Sequence, residues 1–205
     1  MESKSTEEKI FDAAYREFVE KGYEGARMQS IADRAGINKA LLHYYYRAKD
    51  KLFDAVVPRI ISQLPIGINN ILEKDYPIEQ KIEEIVHLYI GFLKKNPLIV
   101  RFVLRELLNG PDRLARIFLE VLGQKDTNVI ARLTEIIEKE VQAGNIIPIK
   151  PEQLIINIIS LCVFPFIGRF LVENIILKNT GTDFDEFMKD REKELVAFIL
   201  NAIKR

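Results

Sequence analysis

Apolar residues recur along the chain at spacings of three and four, and strictly alternating apolar–polar runs are missing. That period belongs to helices with one buried face, so the pattern predicts an all-α protein. Ser5 and Glu8 stand at the spacing of a capping box and open a first helix. It carries Ile10, Ala14 and Phe18 on one face to about Lys21, where Gly22 ends it. Two short helices come next, at about 28–35 and 39–46. A fourth runs from Lys49 toward Leu72, and Pro58 and Pro65 predict a kink or break inside it. Past Tyr76 and Pro77, helices are predicted to about residue 96, then over 98–109, 112–122, 127–143, 151–178 and 183–203. Asn96-Pro97, Gly110-Pro111, Gly144-Asn145 and Gly181 separate them, and Asp183 with Glu186 caps the last. The expectation is about nine helices: a small three-helix domain over 1–48 joined to a larger helical bundle over 49–205.

The stretch from Met28 to Phe53 holds the most specific local signal. Ala32 has no bulk to keep a second helix away from the first, and Gly36 stands where a left-handed backbone costs little only for glycine. Ile31, Ile37 and Leu42 supply inward apolar contacts, and Asn38 is a good N-cap for the next helix. This is the layout of a helix-turn-helix. Around and beyond Leu42 the residues are poor core material: Lys39, His43, Tyr44, Tyr45, Arg47, Lys49 and Lys51, with no acid before Asp50. Cations and aromatic hydroxyls in that density suit phosphates and base edges of DNA.

Charge supports that reading only through its distribution. The 205 residues carry 30 basic and 30 acidic side chains, so net charge points to no partner. Between Lys21 and Leu52, seven bases stand against three acids, which leaves that segment at +4 and the rest of the chain at −4. One cysteine, Cys162, excludes an intrachain disulfide and a cysteine-based zinc site, and its apolar neighbours predict a buried thiol. His43 and His87 are the only histidines and neither has ligands at metal spacing, so no metal, cofactor or catalytic set is expected and the protein is read as a non-enzyme. The polar N-terminus and the interrupted run from Leu154 to Leu177 predict a cytoplasmic protein without a membrane partner.

Taken with their spacing, Ile10 to Ala14, Phe18, Lys21-Gly22-Tyr23, Ile31-Ala32, Ala35-Gly36-Ile37, Leu42, Tyr45-Tyr46, Lys49 and Leu52-Phe53 resemble the N-terminal domain of the TetR family of bacterial transcriptional regulators. The resemblance covers about residues 7–53. It implies a homodimer on a palindromic double-stranded DNA operator, an interface made by the last two long helices, and a small-molecule effector held in the C-terminal domain. Two departures stand out: Ala26 and Arg27 replace the usual small hydroxyl residues, and His43 replaces a common tyrosine. With Leu42 inward, the helical step places Ala40 and Tyr44 opposite it, with His43 and Arg47 beside them. The expected DNA contacts are therefore Arg27, Gln29, Lys39, Ala40, Leu41, His43, Tyr44, Tyr45, Arg47 and Lys49. Lys39 and His43 are candidates for base edges, Ala40 and Leu41 for a thymine methyl, and the tyrosines and Lys49 for phosphate. Tyr46 is read as packing.

Polar residues also stand among apolar ones in the larger domain. Tyr89, Phe92, Arg101, Phe102, Arg105, Asn157, Phe164 and Arg169 are the candidate effector-site residues. An apolar cavity with a few convergent polar groups is the usual form of such a site, although a core with internal ion pairs would give the same list. The cavity is expected between helices of about 80–143 and 151–178, with Pro165 bending the long helix and Glu106 as an internal partner for the arginines. Ile155, Ile158, Ile159, Leu195, Phe198, Ile199 and Ala202 are candidates for the dimer face. The function expected is a ligand-responsive, sequence-specific DNA-binding regulator, a repressor. Two alternatives stay open: a DNA-binding module controlled by a protein partner, and a helical interaction protein with a vestigial motif.

Overall fold

The structure, a computed structural model, describes residues 4–122 and 128–205 and, outside 63–65, their side chains. Among these residues the helices are α1 (Thr6–Gly25), α2 (Met28–Ala35), α3 (Lys39–Tyr45), α4 (Lys49–Ile61), α5 (Gln63–Leu72) and α6 (Ile78–Lys95). They continue as α7 (Pro97–Asn109), α8 (Pro111–Leu122), α9 (Val129–Gln142), α10 (Pro151–Ile167), α11 (Arg169–Leu171) and α12 (Phe184–Ile203). A π-helical turn, Val172–Ile176, continues α11. The all-α expectation holds, and two of the additional helices come from breaks within expected ones, at Ser62 and at Gly168. The connecting helix parts at Ser62, between α4 and α5, while Pro58 is accommodated inside α4. The expected start of a helix at residue 127 lies outside the described residues.

The helices gather into two compact units: α1–α4 with α7 and α8, and α5 and α6 with α9–α12. In the first unit, Ser5 and Glu8 form the reciprocal cap expected of them. Gly22 takes φ 71°, which ends the regular part of α1 as expected, and one further turn runs on to Gly25. Apolar faces of α1, α2, α3 and α4 close over Ile10, Ala14, Phe18, Ile31, Leu42, Leu52 and Phe53, all nearly or fully buried. Phe53 is the centre of this core. Its ring meets Phe18 at 5.0 Å and Tyr23 at 5.1 Å, both edge-on, and Phe102 of α7 at 6.2 Å.

In the second unit, α6 packs against α9, α10 and α12. Ile68, Ile71, Leu72, Ile85 and Val129 form one buried cluster there. The buried Lys81 ammonium closes the end of α5 by donating to the carbonyls of Leu72 and Lys74. His87 stays at the surface, where its Nδ1 lies 2.6 Å from Glu192 of α12. The bend expected at Pro165 falls three residues later. Pro165 is buried within α10, and the axis turns by 69° at Gly168, between Pro151–Ile167 and Arg169–Ile176. No single helix among the described residues is long and apolar enough to cross a membrane.

Candidate nucleic-acid interface

The turn between α2 and α3 is built by backbone hydrogen bonds that only a left-handed residue allows. Gly36, at φ 67° and ψ 32°, donates to the carbonyl of Asp33, and Ile37 donates to that of Ala32 at 3.1 Å. Asn38 then caps α3, its Oδ1 accepting from the Leu41 amide at 2.8 Å. Leu42 is fully buried, so the rest of α3 is fixed in rotation about that anchor. Lys39, Ala40, Leu41, His43, Tyr44, Tyr45 and Arg47 all lie exposed, Tyr44 at 82%. The rings of Tyr44 and Tyr45 meet edge-on at 5.7 Å. Tyr46 is half-buried, the packing position expected of it.

Ionic contacts divide the cations of the segment into two sets. Arg34 and Lys21 are neutralised by the fully buried Glu17, with Arg34 Nε at 3.1 Å and Lys21 Nζ at 2.7 Å. Arg34 also pairs with Glu20, and its hydrogen bond holds that carboxyl below the usual carboxylate range. Among the described residues, Arg27, Lys39 and Arg47 have no such partner, and all three are exposed. The unpaired positive charge thus stands at the N-cap of α2 (Arg27), at the start of α3 (Lys39) and just past its end (Arg47). Gln29 donates to Asp33 at 2.8 Å, which ties its amide along α2. His43 Nδ1 lies 3.2 Å from the Arg47 carbonyl.

Lys49 is placed differently from the rest. Its ammonium donates to the carbonyls of Tyr23 at 2.9 Å and Ala26 at 3.2 Å and lies 4.4 Å over the Tyr23 ring. Sequence spacing gave no sign of this bond across 26 residues. Tyr23 also donates its hydroxyl to Asp50. Burial first, and then that bond, push the Tyr23 hydroxyl up to about 12.

The eight candidate effector residues fall into both units. Arg101, Phe102 and Arg105 belong to the unit that holds the helix-turn-helix, and Tyr89, Phe92, Asn157, Phe164 and Arg169 to the other. Two of the arginines expected to converge inside lie at the surface: Arg101 and Arg169 are exposed, and Arg169 pairs with Glu173 one turn along at 2.8 Å. A guanidinium in contact with water needs no ligand to satisfy it. Arg105 donates to the Glu20 carbonyl at 3.0 Å rather than to Glu106. Phe102 is a core ring, fully buried, and Asn157 and Phe164 face outward.

A different polar locus lies inside the second unit. Burial, and then the neighbouring Cys162, push the Tyr89 hydroxyl well above its ordinary value, and burial pushes the Cys162 thiol up to about 12. Arg191 of α12 acts on the same thiol. Its Nε is buried with no hydrogen-bond partner among the described residues, and its Nη2 reaches the Leu161 carbonyl only at 3.5 Å. Arg191 escaped sequence reading because it stands in the charged run Lys189 to Glu194, which reads as a solvated face.

The dimer-face candidates divide as well. Ile155, Ile158, Leu195 and Ile199 are buried in the core of the single chain, whereas Phe198 is 63% exposed. In the same part of the chain Ile156, Phe164, Ile167, Phe170, Leu171, Ile175 and Ile176 also face outward.

Residues 10–56 match the bacterial regulatory proteins of the tetR family, and residues 79–199 match the tetracyclin repressor-like C-terminal domain. The chain is similar to the HTH-type transcriptional regulator RutR of Escherichia coli O157:H7, 28% identical over 149 residues, or 73% of this chain and 68% of that protein. It is also similar to the HTH-type transcriptional activator FasR of Mycolicibacterium smegmatis, 33% identical over 82 residues, 40% of this chain and 37% of that one. Among solved structures, HlyIIR, a hemolysin II transcriptional regulator, shares the fold at a TM-score of 0.66 and 25% identity, over 98% of this chain and 97% of that chain.

Proposed function

We propose that this chain, which belongs to the TetR family of bacterial regulatory proteins, binds a palindromic operator as a homodimer and represses transcription until a small molecule releases it. The outer face of α3 carries the DNA assignment. Leu42 is buried beneath it, and Lys39, His43, Tyr44 and Tyr45 stand exposed above it, with Arg47 exposed just past its end. A helix set by one buried leucine after a tight turn can enter a major groove with its near side chains at base edges and its flanking hydroxyls and cations at phosphates. Two such faces, one per protomer, read two half-sites one helical turn apart. The outward apolar residues of α10, α11 and α12 support dimerisation, since Phe170 at 73% and Phe198 at 63% exposure favour a covering partner.

The test is selection of bound sequences from a random DNA pool, with the protein's mass measured by light scattering. A two-fold symmetric consensus bound by a dimer is expected. With about six phosphate contacts in the dimer, affinity should fall roughly a thousandfold between about 50 mM and about 200 mM salt. A monomer, or binding without sequence preference, refutes the reading.

The effector reading is supported by the Tyr89, Cys162 and Arg191 locus, where a buried guanidinium nitrogen lacks an acceptor. A carboxylate with an apolar body would supply one. Thermal-shift measurement with aliphatic and aromatic carboxylates tests it. At least one should stabilise the wild type and release it from operator, and Arg191→Met should lose both responses while keeping operator affinity within about twofold. A panel that acts equally on both proteins would falsify the placement at Arg191.

A further inference from the structure

The break in α1 creates a polar need that a residue far along the chain meets. Gly22 at φ 71° interrupts the helix, so the Tyr23 amide cannot bond to the preceding turn. Glu106 of α7, only 3% exposed, accepts that amide proton at 2.8 Å through Oε1. Its other oxygen lies 4.0 Å from Arg113 of α8, and the Arg113 guanidinium stacks 3.4 Å over the Tyr23 ring. Amide, carboxylate, guanidinium and ring thus close a loop over α1, α7 and α8. Glycine suits position 22 twice over: its φ of 71° strains any other residue, and a Cβ would stand 2.6 Å from Arg105 Cδ and 2.9 Å from Glu106 Oε1, displacing the carboxylate that holds the Tyr23 amide. Tyr23 is held from the opposite side by α4, through Lys49 on its carbonyl and Asp50 on its hydroxyl.

We propose that Glu106 is a positioning residue for DNA reading: it fixes the end of α1 through the Tyr23 amide and, through Tyr23, the start of α4 directly after α3. This rests on the DNA-binding reading above. A buried carboxylate is an expensive way to join helices, because an apolar contact would fill the same space without desolvating a charge. The carboxylate adds direction. It holds one amide at one angle, and Tyr23 transfers that angle to the segment directly after α3. Apolar contacts such as Phe53 on Phe102 supply cohesion but fix no orientation of this kind.

The test compares wild type, Glu106→Gln and Glu106→Ala on the selected operator and on random DNA. Glutamine keeps an oxygen for the Tyr23 amide, and alanine does not. Glu106→Ala should lose about tenfold or more in operator affinity, with random-DNA affinity within about twofold because phosphate attraction is insensitive to helix angle. Glu106→Gln should recover most of the loss. Phe102→Leu serves as the control for stability alone, and its folded fraction should bind operator as the wild type does. Hydrogen exchange of the Tyr23 amide in the wild type gives a readout that needs no variant: slow exchange is expected. Fast exchange overturns the latch, as does an unchanged operator-to-random ratio in Glu106→Ala. Wild type that binds no operator removes the DNA reading itself, an outcome distinct from either of these.

Discussion

Phe53→Ala is expected to destabilise the protein by about 3–5 kcal/mol and to abolish operator binding near its unfolding midpoint. The ring is 1% exposed and is shared by three aromatic neighbours from two other helices: Phe18 and Tyr23 of α1 and Phe102 of α7. Truncation removes the transfer free energy of the ring and leaves a cavity bounded by residues that cannot all collapse into it. The two edge-on pairs add roughly 0.5–1.5 kcal/mol each beyond area burial. Tyr44→Ala is the matched contrast. Tyr44 is a large aromatic only nine positions earlier, but 82% exposed, so its loss should change stability by no more than about 0.5 kcal/mol. It should weaken DNA binding nonetheless. Denaturant unfolding of both variants beside their operator affinities separates the two roles, and equal stability losses would sink the assignment of Phe53 to the core and Tyr44 to the reading face.

How far the sequence reveals this molecule depends on the reach of each interaction. The α2–α3 turn is legible because its bonds are local: Gly36 to Asp33, Ile37 to Ala32 and Asn38 to Leu41 span three to five residues. Ser5 with Glu8 and Asp183 with Glu186 are legible for the same reason. The buried Leu42 and the exposed Lys39, His43 and Tyr44 result from one anchor and the helical step. Partners across long loops stay hidden. Nothing near Tyr23 in sequence points to Glu106, 83 residues away, and nothing near Lys49 shows that its charge is taken up by carbonyls of α1. A motif boundary at residue 48 likewise cannot show that α4, α7 and α8 cluster with the helix-turn-helix. The residues of α10 fail for a different reason. Between Leu154 and Ile167 apolar residues occupy nearly every position, so no period separates the inward Ile155 and Ile158 from the outward Ile156 and Phe164.

His43 offers the sharpest prediction about which bases are read. Its Nδ1 faces the Arg47 carbonyl at 3.2 Å, and a carbonyl only accepts, so Nδ1 carries the proton in that bond. In the neutral ring, Nε2 is then an acceptor on the exposed side of α3. An acceptor in the major groove pairs with an exocyclic amino group, which adenine and cytosine present there, whereas guanine and thymine offer acceptors that repel it. Adenine or cytosine is therefore expected at the base that His43 faces. Lys39, which has only donors, should favour guanine at its own position. His43→Ala should flatten the preference at one position of each half-site by about 1–3 kcal/mol and leave the others intact. His43→Lys goes further: it replaces the acceptor by donors and should turn the preference at that position toward guanine. Sequence selection with the three proteins at one salt concentration reads this directly. An unchanged consensus for His43→Lys would remove His43 from the reading face and leave base recognition to Lys39 and its neighbours.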